Sequence, residues 1–184
     1  PGNHCKLERL YEGLERRVCV HAGEKRSIIE GEWHIIGLNT HVRGRVSGAL
    51  AAEELDWLDQ QLALGGHALI AMHHHPFAIG SRWLDEIALR NADNFWRILR
   101  RYDHVKGIVV GHVHQQLDIE VHGIHCMATP STCIQFRPNM PTFALDTQSP
   151  GYRWIDLADN GELTTGVERI EGFIPPDLND TSEY

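Results

Sequence analysis

The chain has 184 residues, of which 42% are apolar and 23% charged, the make-up of one globular domain long enough to bury a core. Its formal net charge of -8 at pH 7 excludes a nucleic-acid surface, which needs a basic stripe, and no apolar run is long enough to cross a bilayer. Four cysteines, Cys5, Cys19, Cys126 and Cys133, stand without a CxxC pair, as expected in a reduced cytoplasmic setting.

The chain opens Pro1-Gly2-Asn3-His4, without Met and inside what reads as a strand-to-loop motif, as expected of a C-terminal fragment or processed piece. Residues 7–17 read as a helix with Leu10 and Leu14 inward, and 18–20 as a short strand. Two strands at 27–29 and 32–38 meet at the turn Glu30-Gly31, and Asn39-Thr40-His41 is a polar stop at a pocket rim. From 49 to 64, Leu55, Leu58 and Leu62 share one face, which predicts an amphipathic helix closed by Gly65-Gly66.

The apolar run Ala68-Leu69-Ile70-Ala71-Met72 predicts a parallel strand covered on both sides, and it delivers three consecutive histidines, His73, His74 and His75, to its carboxyl end. A helix over 92–102 follows, with Asn91 or Asp93 as N-cap. The run 107–110 predicts another buried strand, ending at Gly111-His112-Val113-His114. Extended residues two apart share a side, so both imidazoles are expected to converge on one pocket. Alternating strands and helices predict parallel pairing with right-handed crossovers, and ligands in such sheets bind beyond the strand carboxyl ends. Beyond His114 the pattern turns antiparallel, with one hairpin over 117–128 and a second over 152–170 about Asn160-Gly161.

The thirteen histidines do not all invite a metal. His21, His34, His67, His104, His122 and His125 read as surface or hydrogen-bonded structural residues, and so do His41, Asn39 and Thr129 at strand rims. Cys126 and Cys133 read as small buried residues. The five tryptophans fall in apolar patterns, with Trp83 placed to border a nucleobase. Gly2-Asn3-His4 alone is ordinary turn chemistry, and His74 alone is a core histidine.

Taken in order, Gly2-Asn3-His4, His74-His75-Pro76 and Gly111-His112-Val113-His114 resemble the calcineurin-like metallophosphoesterase superfamily. Leu89-Arg90-Asn91-Ala92 and Thr129-Pro130-Ser131-Thr132-Cys133-Ile134-Gln135-Phe136 resemble its bacterial class III cyclic-AMP phosphodiesterases, and the likeness runs from Gly2 to near Ile170. The resemblance implies an α/β fold, a two-sheet αββα sandwich over 1–172 lacking its N-terminal βαβ portion, then an extended or disordered tail over 173–184. It implies two divalent ions (Fe, Mn, Zn or Co) sharing a hydroxide that attacks phosphorus in line. Asn3, His74 and His112 would bind one ion and His114 the other, while His4 would stabilise the transition state or protonate the leaving oxygen.

Strand parity sets His73 and His75 on one side and His74 on the other without choosing between them. The family's His-x-Pro spacing selects His74, leaving His75 as a substrate or supporting contact. Two departures stand out. Cys5 replaces the family's Asp, which orients the preceding histidine, and the family's upstream Asp-x-His and Gly-Asp are absent, so the chain alone is expected to be nearly inactive. The expected substrate is a small molecule, 3',5'-cyclic AMP, with a glycerophosphodiester or other small phosphodiester as the alternative, and with neither nucleic acid nor membrane as partner. An alternative of another class is a non-catalytic regulatory or binding module with a degenerate metal site.

Overall fold

A computed structural model of the chain describes residues 2–5 and 27–173; the expected helix at 7–17, the strand at 18–20 and the tail beyond Phe173 lie outside the described residues. The polypeptide from Ser27 runs through β1 (Ser27–Glu30), β2 (Trp33–Gly37), α1 (Ala52–Leu62), β3 (His67–Met72), α2 (Arg82–Asp85), α3 (Ala92–Leu99), β4 (Val105–Val110), β5 (Leu117–Val121), β6 (Ile124–Ala128), β7 (Gly151–Leu157) and β8 (Leu163–Arg169).

The first six strands form one sheet in the order β1-β2-β3-β4-β6-β5, and β7 and β8 form a second. Strands β2, β3, β4 and β6 run parallel, while β1 and β5 close the edges as antiparallel hairpin partners. The continuous apolar runs are explained by this layering, because the central strands are covered on both faces. On one face Ile36, Ile70, Ile108 and Cys126 pack with Leu58 and Leu62 of α1 and Phe95 and Leu99 of α3. On the other, Trp33, Leu69 and Met127 pack against Ile155, Leu157 and Leu163 of the β7–β8 hairpin.

The hairpin is held close by a glycine and an arginine. A Cβ on Gly107 of β4 would lie 2.9 Å from Leu163 Cδ1 and 3.0 Å from Met127 Cε, so glycine there lets the ends of these side chains pack between the sheets without shifting. Arg153 of β7 forks onto Asp118 of β5, Nη1 to Oδ1 at 2.8 Å and Nη2 to Oδ2 at 2.9 Å, and Nη2 also donates to the Ala128 carbonyl at 3.0 Å. A planar guanidinium fixes distance and angle at once, which suits it to tie two sheets together. The fold is therefore the expected mixed α/β packing of two sheets. The outer face of the hairpin carries exposed Tyr152 and Trp154.

Helix lengths differ from expectation at their ends. α1 is shorter than 49–64, and its Glu54 is buried with Oε1 accepting the Asn39 N–H at 2.7 Å. Asn91 does not cap α3 with its side chain. It pins Leu50 instead, accepting its N–H at 3.0 Å and donating to its carbonyl at 2.8 Å.

Candidate metal and active site

Met72 and Val110 are register partners at the carboxyl ends of β3 and β4, so His73 and Gly111 leave the sheet side by side. In β3 the odd-numbered Leu69 faces the β7–β8 layer and the even-numbered Ile70 faces the helices. Continuing that alternation sends His73 to the hairpin side and His74 to the helix side.

His74 is held firmly on its side. Its Nδ1 lies 2.7 Å from Thr40 Oγ1 and its Nε2 2.9 Å from the Val46 carbonyl. The carbonyl can only accept, so Nε2 carries the proton and Nδ1 accepts from the threonine hydroxyl. Both ring nitrogens have protein partners in the fully buried pair His74 and Thr40.

His73 meets the amino-terminal turn. The Cys5 N–H donates to the Gly2 carbonyl at 3.0 Å, and the Gly2 N–H donates to Cys5 Sγ at 3.2 Å, which leaves Asn3 and His4 at the corners of a tight turn. Cys5 thus braces the turn itself. A Cβ on Gly2 would sit 2.6 Å from His73 Cε1, so the glycine is what lets the turn approach the imidazole. Asn3 Oδ1 lies 2.9 Å from His73 Nε2, and that nitrogen lies 3.2 Å from His112 Nδ1.

The Gly-His-x-His segment differs from its expected geometry. β4 ends at Val110, and both His112 (φ 66°) and His114 (φ 48°) adopt left-handed backbone, so the extended-chain rule does not relate them. Such φ values cost non-glycine residues on the order of 1–2 kcal/mol each, and strain of this kind gathers at functional sites. The turn separates the two rings. His112 enters the cluster, with ring centroids 5.0 Å from His73 and 4.7 Å from His74, while His114 stacks on Phe136 at 4.4 Å and 9°.

Each of His73, His74 and His112 presents a ring nitrogen within 4.8 Å of the others. Burial is the main cause that holds His112 down to about 2, His73 to about 3, and His74 and His114 to about 4; repulsion from neighbouring histidines adds to it. All four are neutral at pH 7 and present lone pairs rather than charge. His112 Nε2 is buried with no hydrogen-bond partner among the described residues, a costly arrangement, and it is the other ring nitrogen, Nδ1, that faces His73. These neutral nitrogens with an amide oxygen beside them fit a borderline divalent ion.

His75, buried beside the cluster, stacks on His112 at 6.0 Å and has Nε2 3.4 Å from Asp85 Oδ1. Burial lowers its pKa, with Asp85 opposing, so it is a neutral ring beside a carboxylate that also accepts the Ile79 N–H at 2.9 Å. Val46, Trp83, Leu84, Ile87 and Phe136 form the apolar side of the cleft whose other side is Asn3, His4, His73, His112 and His114. On the apolar side Trp83 and Phe136 carry a signal in sequence, Phe136 as the end of the stretch 129–136, while Val46, Leu84 and Ile87 carry none. Thr40 belongs to the polar stop that the sequence marks at a strand rim.

The family model for calcineurin-like phosphoesterases matches residues 1–116. The chain is 41% identical over 172 residues to the 3',5'-cyclic adenosine monophosphate phosphodiesterase CpdA of Escherichia coli, covering 92% of this chain and 62% of that protein. It is 45% identical over 153 residues to the protein of the same name from Vibrio vulnificus, covering 82% and 56%. A 3',5'-cyclic-nucleotide phosphodiesterase of Nostoc sp. is 36% identical, covering 100% and 69%. The chain thus spans about three fifths of the length of the first two relatives. Among solved structures, a dimetal phosphatase from Danio rerio aligns with 59% of this chain and 35% of its own at 21% identity, with a TM-score of 0.41.

Proposed function

This chain belongs to the calcineurin-like phosphoesterase family, and from that premise we propose that the protein it represents is a metal-dependent phosphodiester hydrolase that opens 3',5'-cyclic AMP to 5'-AMP. The observation that carries this reading is the meeting of Asn3 Oδ1, His73 Nε2 and His112 Nδ1 at 2.9 and 3.2 Å. The relatives' names support the substrate.

In this reading Asn3, His73 and His112 hold one ion and His114 serves a second. His73 takes the role that motif spacing gives to His74, because both nitrogens of His74 are engaged by Thr40 and Val46. Divalent ions bound there supply Lewis acidity and lower the pKa of water. Water adds to phosphorus, the P–O3' bond breaks, and His4 at the corner of the turn delivers the proton that O3' needs to leave. His114 is fixed by its stack on Phe136, and the apolar side of the cleft limits competing solvent. The sequence holds no Asp-x-His and no Gly-Asp, so the chain by itself binds one ion better than the second and turns over poorly. The free thiols Cys5, Cys126 and Cys133 are consistent with a reduced, cytoplasmic setting.

The test is turnover by the full-length protein supplied with Mn²⁺, offered 3',5'-cyclic AMP and a glycerophosphodiester side by side. Preference for the cyclic nucleotide, abolished by chelation, is expected. Preference for the glycerol ester moves the substrate, and metal binding without turnover of either makes the protein a binding module.

A further inference from the structure

Beyond His114 and Phe136, away from the histidine cluster, lies a second cavity that phosphoryl chemistry alone does not require. The cleft between the two histidine loops and Trp83 has a volume of about 60 Å³, room for a phosphate and little else. The neighbouring cavity, which shares His114 and Phe136 with it, has about 260 Å³, close to the lower bound of roughly 300 Å³ usual for small-ligand sites. A substrate whose phosphate lay at His114 would find room for its remaining atoms in this second space.

The lining indicates what those atoms are. Leu117 and Pro138 offer apolar surface beside the buried Phe136, whose ring is stacked on His114, while Gln116, Asp146, Gln148 and Arg169 offer carboxamide, carboxylate and guanidinium groups. Apolar surface for a ring face and amide or carboxylate groups for its edge are what proteins use to hold a nucleobase. The wall is preformed. Gln135 is bonded to Ser131 at both ends of its amide, accepting the Ser131 N–H at 3.0 Å and donating to the Ser131 carbonyl at 2.8 Å. The Phe136 N–H donates to the His114 carbonyl at 3.2 Å and the Asp146 N–H to the Gln135 carbonyl at 2.9 Å, so the cavity floor is tied directly to the His114 backbone. Asp146 is itself oriented, with Oδ1 accepting the Thr147 N–H at 2.7 Å and Oδ2 accepting Gln148 Nε2 at 3.2 Å. Each carboxylate oxygen keeps a second acceptor site for a ligand donor.

We propose that this cavity is the nucleoside subsite, in which Asp146 and Gln116 read the edge of the base and so select a cyclic nucleotide over smaller phosphodiesters. The assignment rests on the phosphodiesterase reading of the neighbouring centre, and it makes Asp146 a specificity residue. Adenine presents an amine donor where guanine presents a carbonyl acceptor; a carboxylate accepts from the first and repels the second.

The test uses the full-length protein with Mn²⁺ and the variants Gln148→Trp, which fills the cavity from its exposed rim, and Asp146→Asn, which adds a donor. Gln148→Trp is expected to raise the KM for 3',5'-cyclic AMP about tenfold, the loss of one good base contact, while the KM for ethyl 4-nitrophenyl phosphate, which has no base, changes less than about twofold. Asp146→Asn is expected to shift preference from cyclic AMP toward cyclic GMP. Calorimetry with adenosine, which carries the base and no phosphate, is expected to show binding to the unmodified protein and its loss in Gln148→Trp. Equal effects on both diesters, no effect on either, or adenosine binding that is absent or survives Gln148→Trp overturn the subsite. If the unmodified protein hydrolyses neither diester, it is the phosphodiesterase reading that fails, and adenosine binding alone then decides the cavity.

Discussion

His73 and His74 are adjacent in sequence and opposite in role. His74 is a bridge within the protein, from the Thr40 hydroxyl to the Val46 carbonyl, whereas His73 turns its Nε2 toward Asn3 and His112. Substituting His73 by Ala should therefore lower the affinity of the chain for Zn²⁺ at least about tenfold with a small loss of stability, since removing even a supporting group of a metal site costs on the order of 10–100-fold. His74→Ala should do the reverse, costing about 1–3 kcal/mol by orphaning the buried Thr40 hydroxyl and Val46 carbonyl and changing metal affinity less. Calorimetric titration paired with urea unfolding separates the two, and loss of metal binding in His74→Ala alone would reverse the assignment. Asn3, His112 and His114 were legible in sequence as ligand types at loop positions. The choice among the three histidines was not, because it depends on which face of β3 meets helices, and that follows from the paired layers Leu69 with Trp33 and Ile70 with Leu58, which lie in other segments of the chain.

At the scale of elements, hairpins and central strands were readable because their signals are local: Gly31 and Gly161 take positive φ in the turns, and the apolar runs lie between covered faces. Side chains that serve a distant element were not readable. Asn91 stands where an N-cap is expected, yet its amide bonds the Leu50 backbone 41 residues away in both directions. The two roles make different demands. A cap needs only an acceptor, and Asp serves there as well as Asn; the bridge also needs the Nδ2 donor. Asn91→Asp should therefore destabilise the protein by about 1–2 kcal/mol, because it leaves the Leu50 carbonyl without its donor and faces it with a carboxylate. Equal urea midpoints for the two proteins would restore the capping role. Glu54 teaches the same lesson in α1, where a carboxylate on an amphipathic helix lies inward to accept the Asn39 N–H.

Across the whole molecule, the loops after β3 and β4 bring His73, His74 and His112 into one cluster with His114 beside it, and the consequence is a candidate metal site that protons compete for weakly. His73 is held near 3, His112 near 2, and His74 and His114 near 4, against the ordinary imidazole value of 6.5. For a base whose folded pKa is lowered, the unfolded chain takes up the proton first. These groups leave stability unchanged above pH 6.5, and each removes up to about 1.4 kcal/mol per pH unit as pH falls from there to its folded value. Metal-free protein should accordingly lose urea resistance as pH falls from about 6.5 to 5. The bound ion obeys a different balance, because it competes only with protons on the folded state. A site of three ordinary histidines would lose affinity about tenfold per histidine for each pH unit below 6.5. Here the imidazoles of the folded chain stay neutral to well below pH 5.5, so calorimetric Zn²⁺ affinity should change less than about threefold between pH 7.0 and 5.5 while stability without metal falls. A drop of a hundredfold or more would show that the histidines titrate as exposed groups do, and that the loops do not close around them.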